Sequence, residues 1–266
     1  MLPPPRLKNN VASGVFYFKE GLRLIWAPEL RLYILVPLLV NCVLFFALTG
    51  WLIYTYGSTF TGAIEWVTNL APEFLQRFIA PIAWIAWVVC GILFLIVYGY
   101  SFNMITNIIA APFYGLLSAK AEALLTGTPP PDEPLAKMIP RVVLREISKL
   151  WYFLSRGLIV ILIMFLVGLT PVINLIAPLI GLAWSAWSMS IQYADYAGDN
   201  NQLGFKPLRM CLWQKKFSCL GFGGFTMLMS VIPVLNIVAI PVAVVGGTLF
   251  WLRELKSCQQ GQCEID

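Results

Sequence analysis

The positions of charged residues divide the chain into four long apolar blocks. Asp, Glu, Lys and Arg are absent from residues 32–64, 78–119, 157–194 and 217–252. Each block is longer than the roughly 20 residues with which a helix crosses a bilayer. The pattern predicts an all-α integral membrane protein.

The first two blocks each contain an uninterrupted apolar segment. Residues 32–56 and 81–106 predict two full transmembrane helices, the second with Pro81 in its first turn, where proline is tolerated. Ahead of them, apolar and charged residues interleave in "VASGVFYFKEGLRLIW", which is not the layout of a cleaved signal peptide. We interpret residues 11–30 as an amphipathic helix at the membrane interface.

The third and fourth blocks are interrupted by prolines. The interruptions are "LTPVINLIAPLIG" and "VIPVLNIVAIPVAVVG", and proline both removes a backbone donor and disfavours helix before it. A helix over 157–170 rises only about 21 Å, less than the ~30 Å hydrocarbon core. We therefore expect residues 157–194 and 217–252 to form two re-entrant hairpins that enter the membrane without crossing it.

The two interruptions share a motif, Pro-Val-x-Asn, at 171–174 and again at 233–236. Internal repeats are common in transporter folds, although apolar sequences also match by chance. Irregular backbone at membrane depth must face protein or a watery cavity, because lipid cannot satisfy its hydrogen bonds. Both interruptions are expected at an interior surface.

Composition and charge agree with a membrane protein and suggest its orientation. The chain is 59% hydrophobic and 12% charged, with a mean hydropathy of +0.78. Seventeen of the 18 Lys and Arg residues fall on one side if the first two helices cross and the hairpins return; the exception is Arg77, in the predicted outer loop 57–80. The positive-inside rule makes the richer side, with both termini, cytoplasmic. The count of Lys and Arg on each side is the same if each hairpin is instead a pair of short helices that cross the membrane.

A second amphipathic helix is predicted on the cytoplasmic side at residues 136–156. Its basic face carries Arg141, Arg145, Lys149 and Arg156. Attraction to anionic lipid is the favoured interpretation of this face, with substrate binding as the alternative.

Residue types offer little support for catalysis. The chain has no histidine, which removes the commonest acid–base group and metal ligand together. Asp195 and Asp199 in "QYADYAGDNN" are interpreted as a solvated turn in preference to a cation site. We expect no enzyme activity, no catalytic residue, no cofactor, no metal site and no nucleic-acid partner.

The blocks contain no central ionisable side chain of the kind that pumps and symporters use, which favours a channel-like path. Polar groups at depth include five asparagines, which either bond helices to one another or line a pore with uncharged donors. These candidate pore-lining residues are Asn41, Asn103, Asn107, Asn174 and Asn236.

Three further segments stand out along the chain, "EGLRLIW", "NIIAAPFYGLLSAKAEALLTG" and "QYADYAGDNNQLGF". In order and spacing, over nearly the whole chain, they resemble the CysZ family of bacterial inner-membrane sulfate permeases. The resemblance implies an all-helical membrane protein with two long helices, partly penetrating helix pairs and cytoplasmic termini. It further implies homo-oligomeric assembly and uptake of sulfate for cysteine biosynthesis.

The resemblance also implies a sulfate-binding element at Gly21, Leu22 and Arg23, although Leu24 stands where family members sometimes carry a second arginine. A glycine at a helix start would expose backbone N–H groups, and arginine supplies a planar fork of donors. Without the resemblance, Arg23 would be interpreted as an anchor reaching the membrane surface. Two functions stay open: a channel-like or weakly coupled sulfate permease, and a membrane scaffold or assembly protein without transport activity.

Overall fold

The computed structural model describes residues 7–70, 72–171 and 173–259, and every regular element in them is helical. The helices are α1 (Val11–Leu24), α2 (Pro28–Leu70), α3 (Glu73–Thr126), α4 (Leu135–Gly168), α5 (Ile176–Asn200), α6 (Phe205–Gln214), α7 (Lys216–Val231) and α8 (Pro233–Phe250), followed by a π-helical segment (Trp251–Leu255) and α9 (Lys256–Gln259). Five helical segments are long and apolar enough to cross a membrane. The predicted all-α membrane fold is confirmed.

The first two long helices extend well beyond their predicted bounds. The helix expected over 32–56 runs from Pro28 to Leu70, and the one expected over 81–106 runs from Glu73 to Thr126. Most of the predicted loop 57–80 is therefore helical. The polar residues at its start are compatible with a helix because the Ser58 and Thr61 hydroxyls donate to the carbonyls of Tyr54 and Gly57, four residues earlier.

The described residues group into two compact units, one within Leu39–Ala110 and one within Met1–Leu38 and Ala111–Asp266. The smaller unit consists of parts of α2 and α3 and exposes most of its large apolar side chains. Its two helices are joined by a hydrogen bond of 2.6 Å between the Thr49 and Tyr98 hydroxyls and by one of 2.7 Å from the Tyr56 hydroxyl to the Trp87 carbonyl.

The larger unit is built around α8. Residues 241–251 are all buried, and α8 packs against α1, α5 and α7. The apolar character of the fourth block therefore reflects burial within protein for this helix. Hydropathy alone does not distinguish a helix that faces lipid from one that forms a core.

Helices are interrupted within both predicted hairpins. The first interruption falls between the end of α4 at Gly168 and the start of α5 at Ile176. The second falls at the extended Ile232, with Pro233 at the first position of α8. Proline at that position is favourable because its missing N–H would have had no intrahelical partner.

The amphipathic segment 136–156 is not a separate helix. It continues without a break into the third apolar block as the 34-residue helix α4, in which Pro140 lies close to the start. At 1.5 Å per residue α4 is about 51 Å long, so length no longer favours a re-entrant segment. Re-entry of this block stays a prediction.

Candidate functional site

The three residues predicted to bind sulfate lie at the C-terminal end of α1. Gly21 is in the last turn of that helix, where main-chain N–H groups serve intrahelical hydrogen bonds, and is buried. A Cβ atom added at Gly21 would lie 2.5 Å from the Val242 carbonyl oxygen and 2.7 Å from the Gly246 nitrogen. The expectation that Gly21 lies at a helix start is therefore wrong. Gly21 is instead a point of close approach between α1 and α8.

Arg23 and Leu22 lie on the outer face of the same turn. The Arg23 side chain is 78% exposed, and its Nη1 donates to Glu20 Oε1 at 2.7 Å. Leu22 is also exposed. Four residues separate Arg23 from Pro28, the first residue of α2, whose first turn contains Glu29. Arg23 therefore offers an accessible guanidinium with a single carboxylate as its described partner.

The five asparagines do not form a described polar lining. Asn174 is exposed in the α4–α5 link, and its N–H donates to the Thr170 carbonyl. Asn236 is half-buried in the first turn of α8. Asn41, Asn103 and Asn107 belong to α2 and α3, and their side chains lie outside the described residues. A pore-lining role for these residues stays a prediction.

A group of opposite charges joins α4 to α5 inside the larger unit. We call it the α4–α5 charge cluster, and it consists of Arg141, Arg145, Glu146, Lys149, Asp195 and Asp199. Its basic members recur every four residues on α4, and its aspartates lie four residues apart on α5, so each set occupies one helix face. The two faces meet as α4 packs against α5.

The ion pairs of this cluster are short and mostly buried. Arg145 Nη2 lies 2.6 Å from Asp195 Oδ1, and Lys149 Nζ lies 3.2 Å from the other oxygen of Asp195. Lys149 also pairs with Glu146 at 2.5 Å. Arg141 Nη1 lies 2.5 Å from Asp199 Oδ2. Burial is the largest influence on the Asp199 carboxyl and raises its pKa, against the opposing effect of Arg141 and Arg145.

The cluster corrects two interpretations drawn from the sequence. Asp195 and Asp199 are buried in a helix, so their assignment to a solvated turn is wrong. Arg141, Arg145 and Lys149 bind these carboxylates, so most of the basic face expected to meet anionic lipid is neutralised within the protein. This contact was not predicted from the sequence, although the matched four-residue spacings of opposite charge in 141–149 and 195–199 could have indicated it.

A cavity of about 380 Å³ adjoins the cluster at Arg141. Lys120 and Arg141 contribute positive charge to its lining, and Asp132 and Glu133 contribute negative charge. Glu133 Oε2 lies 2.7 Å from Arg141 Nη2 and neutralises it together with Asp199. Such a balanced lining is poorly suited to a doubly charged anion.

A second buried group joins α1 to the π-helical segment. The Tyr17 hydroxyl donates to Glu254 Oε1 at 2.5 Å, the Leu7 N–H donates to the same oxygen at 2.9 Å, and Lys215 Nζ lies 3.3 Å from Oε2. Burial, aided by this carboxylate, raises the pKa of Tyr17, so the phenol remains a donor. These contacts fix α1, and with it Arg23, on the core of the larger unit.

Within the described residues, no group of His, Cys, Asp and Glu side chains is arranged to hold a metal ion. The site geometry therefore consists of an exposed arginine on α1, a mixed-charge cavity and the buried ion pairs that position their helices.

Comparison with known proteins identifies the family. The family described as "Sulfate transporter CysZ/Etoposide-induced protein 2.4" matches residues 17–241. The chain is 40% identical over 250 residues to a Pseudomonas fluorescens protein named sulfate transporter CysZ, covering 92% of this chain and 94% of that one. Proteins of the same name from Pseudomonas aeruginosa and Salmonella typhimurium are 39% and 38% identical, and each alignment covers at least 90% of this chain and 92% of the relative.

These matches extend over almost the entire length of both partners, and they confirm the resemblance that the three sequence segments indicated. The chain belongs to the sulfate transporter CysZ/etoposide-induced protein 2.4 family.

Proposed function

We propose that this protein carries sulfate across the bacterial inner membrane by a channel-like or weakly coupled route and so supplies sulfur for cysteine biosynthesis. The observation that carries the proposal is the likeness, over nine-tenths of the chain, to proteins named sulfate transporter CysZ. Five helical segments able to cross a membrane support a transporter rather than an enzyme. The alternative of a scaffold without transport activity has no observation in its favour.

Arg23 is the proposed first ligand for sulfate. Its guanidinium is exposed, and a planar fork of donors matches the oxygens of a tetrahedral oxyanion. Glu20 competes for the same donors at 2.7 Å, so sulfate must displace or share this pair. Gly21 contributes indirectly, since its contact with α8 sets the position of the turn. Leu22 is the exposed residue between Gly21 and Arg23 in this proposed element.

Weak binding at Arg23 is compatible with passage of the ion. An exposed ion pair contributes only about 0–1 kcal/mol, so exchanging Glu20 for sulfate at Arg23 costs little in either direction. Weak binding lets an ion leave as readily as it enters, which conduction requires. We also propose that both termini of the protein are cytoplasmic, that it assembles as a homo-oligomer and that it contacts membrane lipid.

Sulfate flux in proteoliposomes tests the proposal. A sulfate gradient alone should drive radiolabelled sulfate into vesicles that contain the protein, and unlabelled sulfate should compete. Protein-free vesicles prepared in parallel provide the baseline. Uptake no faster than that baseline, with protein shown to be folded and inserted, would contradict transport; uptake only under an imposed proton or sodium gradient would contradict the channel-like route.

A further inference from the structure

A pocket of about 490 Å³ lies beside α6, away from the residues assigned above. We call it the aromatic–basic pocket, and it is lined by Trp187, Lys206, Arg209, Met210, Trp213 and Gln214. We propose that this pocket binds the phosphate of an anionic phospholipid headgroup, with Arg209 and Lys206 as the cationic ligands. The proposal is independent of sulfate transport, since it concerns a surface that the sulfate ligand does not share.

Two aromatic rings orient the Arg209 guanidinium for anion binding. Its guanidinium carbon lies 4.3 Å from the centre of the Tyr152 ring and 4.9 Å from that of Phe205, so the side chain is fixed against two aromatic faces. Its Nε is buried without a hydrogen-bond partner among the described residues. Stacking on aromatic rings keeps the planar fork oriented while leaving its charge uncompensated by a carboxylate.

The charge of the pocket is one-sided, unlike that of the α4–α5 charge cluster. Its six lining residues include two cations and no carboxylate. By contrast, Arg141 and Arg145 pair with Glu133, Asp195 and Asp199. Within the described chain, the aromatic–basic pocket therefore keeps positive charge available to an external anion.

The rim of the pocket favours a lipid over a free phosphate ion. Met210 and Trp213 on α6 are 62% and 63% exposed, and Phe217 at the start of α7 is also exposed. Lys216 lies 5.6 Å from the centre of the Trp213 ring. Exposed tryptophan interleaved with lysine is typical of a helix that lies at the boundary of headgroups and acyl chains. Free phosphate would bury none of this apolar surface.

The opposite face of α6 explains why these side chains point outward. Leu208, Cys211 and Leu212 are buried against the larger unit. Their spacing of three and four residues fixes the helix on the protein and leaves Lys206, Met210 and Trp213 on the other side. A headgroup would thus be held between a helix anchored to the core and the Trp187 ring on α5, which lies 5.7 Å from that of Trp213.

Lipid titration of the purified full-length protein tests this assignment. Native mass spectrometry would follow binding of phosphatidylglycerol, phosphatidylcholine and glycerol phosphate to the wild type and to Arg209→Gln and Lys206→Gln. We expect phosphatidylglycerol to bind more tightly than the other two, because it alone combines net negative charge with acyl chains. Loss of one charged hydrogen-bonding partner in Arg209→Gln should weaken its binding about 10-fold.

Lys137→Gln is the matched control, since it removes one exposed positive charge from the first turn of α4 without touching the pocket. Its affinity for phosphatidylglycerol should equal that of the wild type. An equal loss in Lys137→Gln would mean diffuse attraction and overturn the site. Unchanged affinity in Lys206→Gln and Arg209→Gln would also overturn it, and Lys206→Gln decides alone if the arginine variant does not fold. Binding of glycerol phosphate as tight as that of phosphatidylglycerol would overturn the lipid assignment.

Discussion

Arg145 donates three hydrogen bonds to the Asp195 carboxylate, from Nη2 to Oδ1 at 2.6 Å and from Nε to Oδ1 and Oδ2 at 3.0 and 3.2 Å. Asp195 is 1% exposed and also pairs with Lys149. This carboxylate therefore pairs with two cations of α4 in the interior of the larger unit, where Glu146 supplies a second negative charge to Lys149, and it ties α4 to α5.

We predict that Asp195→Asn strongly destabilises the fold. Removing one partner of a buried pair leaves uncompensated charge, at a cost of about 3–5 kcal/mol. Thermal or denaturant unfolding of the detergent-purified variant would measure the loss. Asp132→Asn removes an exposed carboxylate and should change stability little. Equal stability of the two variants would mean that the α4–α5 charge cluster contributes nothing to the fold.

Sulfate affinity should fall when Arg23 is replaced and rise when Glu20 is replaced. Arg23→Ala removes a charged donor and should weaken sulfate binding roughly 10-fold, and Arg23→Lys should restore only part because lysine lacks the planar fork. Glu20→Gln should strengthen binding, because it releases the guanidinium from its described partner. Sulfate titration at matched folded yield provides the measurement.

Lys19→Ala is the control for this series, since Lys19 is an exposed cation on the same helix. It should leave sulfate affinity almost unchanged. If Arg23→Lys binds sulfate as well as the wild type and Glu20→Gln has no effect, Arg23 is a membrane-surface anchor and not a ligand.

Gly21→Val should reduce folded yield whether or not Gly21 takes part in sulfate binding. Its Cβ would meet main-chain atoms of α8 at 2.5 to 2.9 Å, which cannot move as the end of a flexible side chain can. Overpacking of this kind typically costs about 1–3 kcal/mol. Gly62→Ala, where an added Cβ meets nothing within 4 Å, should be neutral or stabilising. A normally stable Gly21→Val protein would argue against the close contact of α1 with α8.

Cysteine labelling tests the proposed topology. The outer probe is Asn69, an exposed residue in the last turn of α2 and within the predicted outer loop 57–80. In a background without native cysteines, a membrane-impermeant reagent added from the periplasm should label a cysteine at 69 and not one at Gln202. Labelling at 202 after permeabilisation is the positive control. Labelling of both in intact cells would refute cytoplasmic placement of the α5–α6 connection.

Asn174→Leu and Asn236→Leu are each predicted to reduce sulfate flux more than folded yield. Both residues lie beside a helix interruption, Asn174 exposed and Asn236 half-buried, so neither side chain belongs to the buried core and its replacement should change folding little. Flux in proteoliposomes, normalised to the amount of inserted protein, gives the comparison. A parallel fall of flux and yield would assign the asparagines to the fold.

The sequence by itself determined the class of protein and the family. It also located the two breaks between the later helices, although Pro241 in the second predicted interruption lies inside α8. Charge-free blocks longer than a bilayer span require helices, and the breaks after Gly168 and at Ile232 lie close to prolines, because both effects are local properties of backbone and solvent. The sequence did not predict how far α2 and α3 extend. Serine and threonine in 57–61 are compatible with a loop, and also with a helix in which their hydroxyls donate to carbonyls of the preceding turn.

Tertiary structure alone decided which apolar and charged faces meet one another. Hydropathy made α8 look like membrane, yet packing by α1, α5 and α7 encloses it in protein. Asp195 and Asp199 looked like a polar turn, yet α4 brings three cations to them. The sequence suggested that an anion could approach the backbone at Gly21, yet α8 occupies that space. Each outcome depends on a partner distant in sequence, and burial and charge pairing are properties of such contacts rather than of the residues themselves.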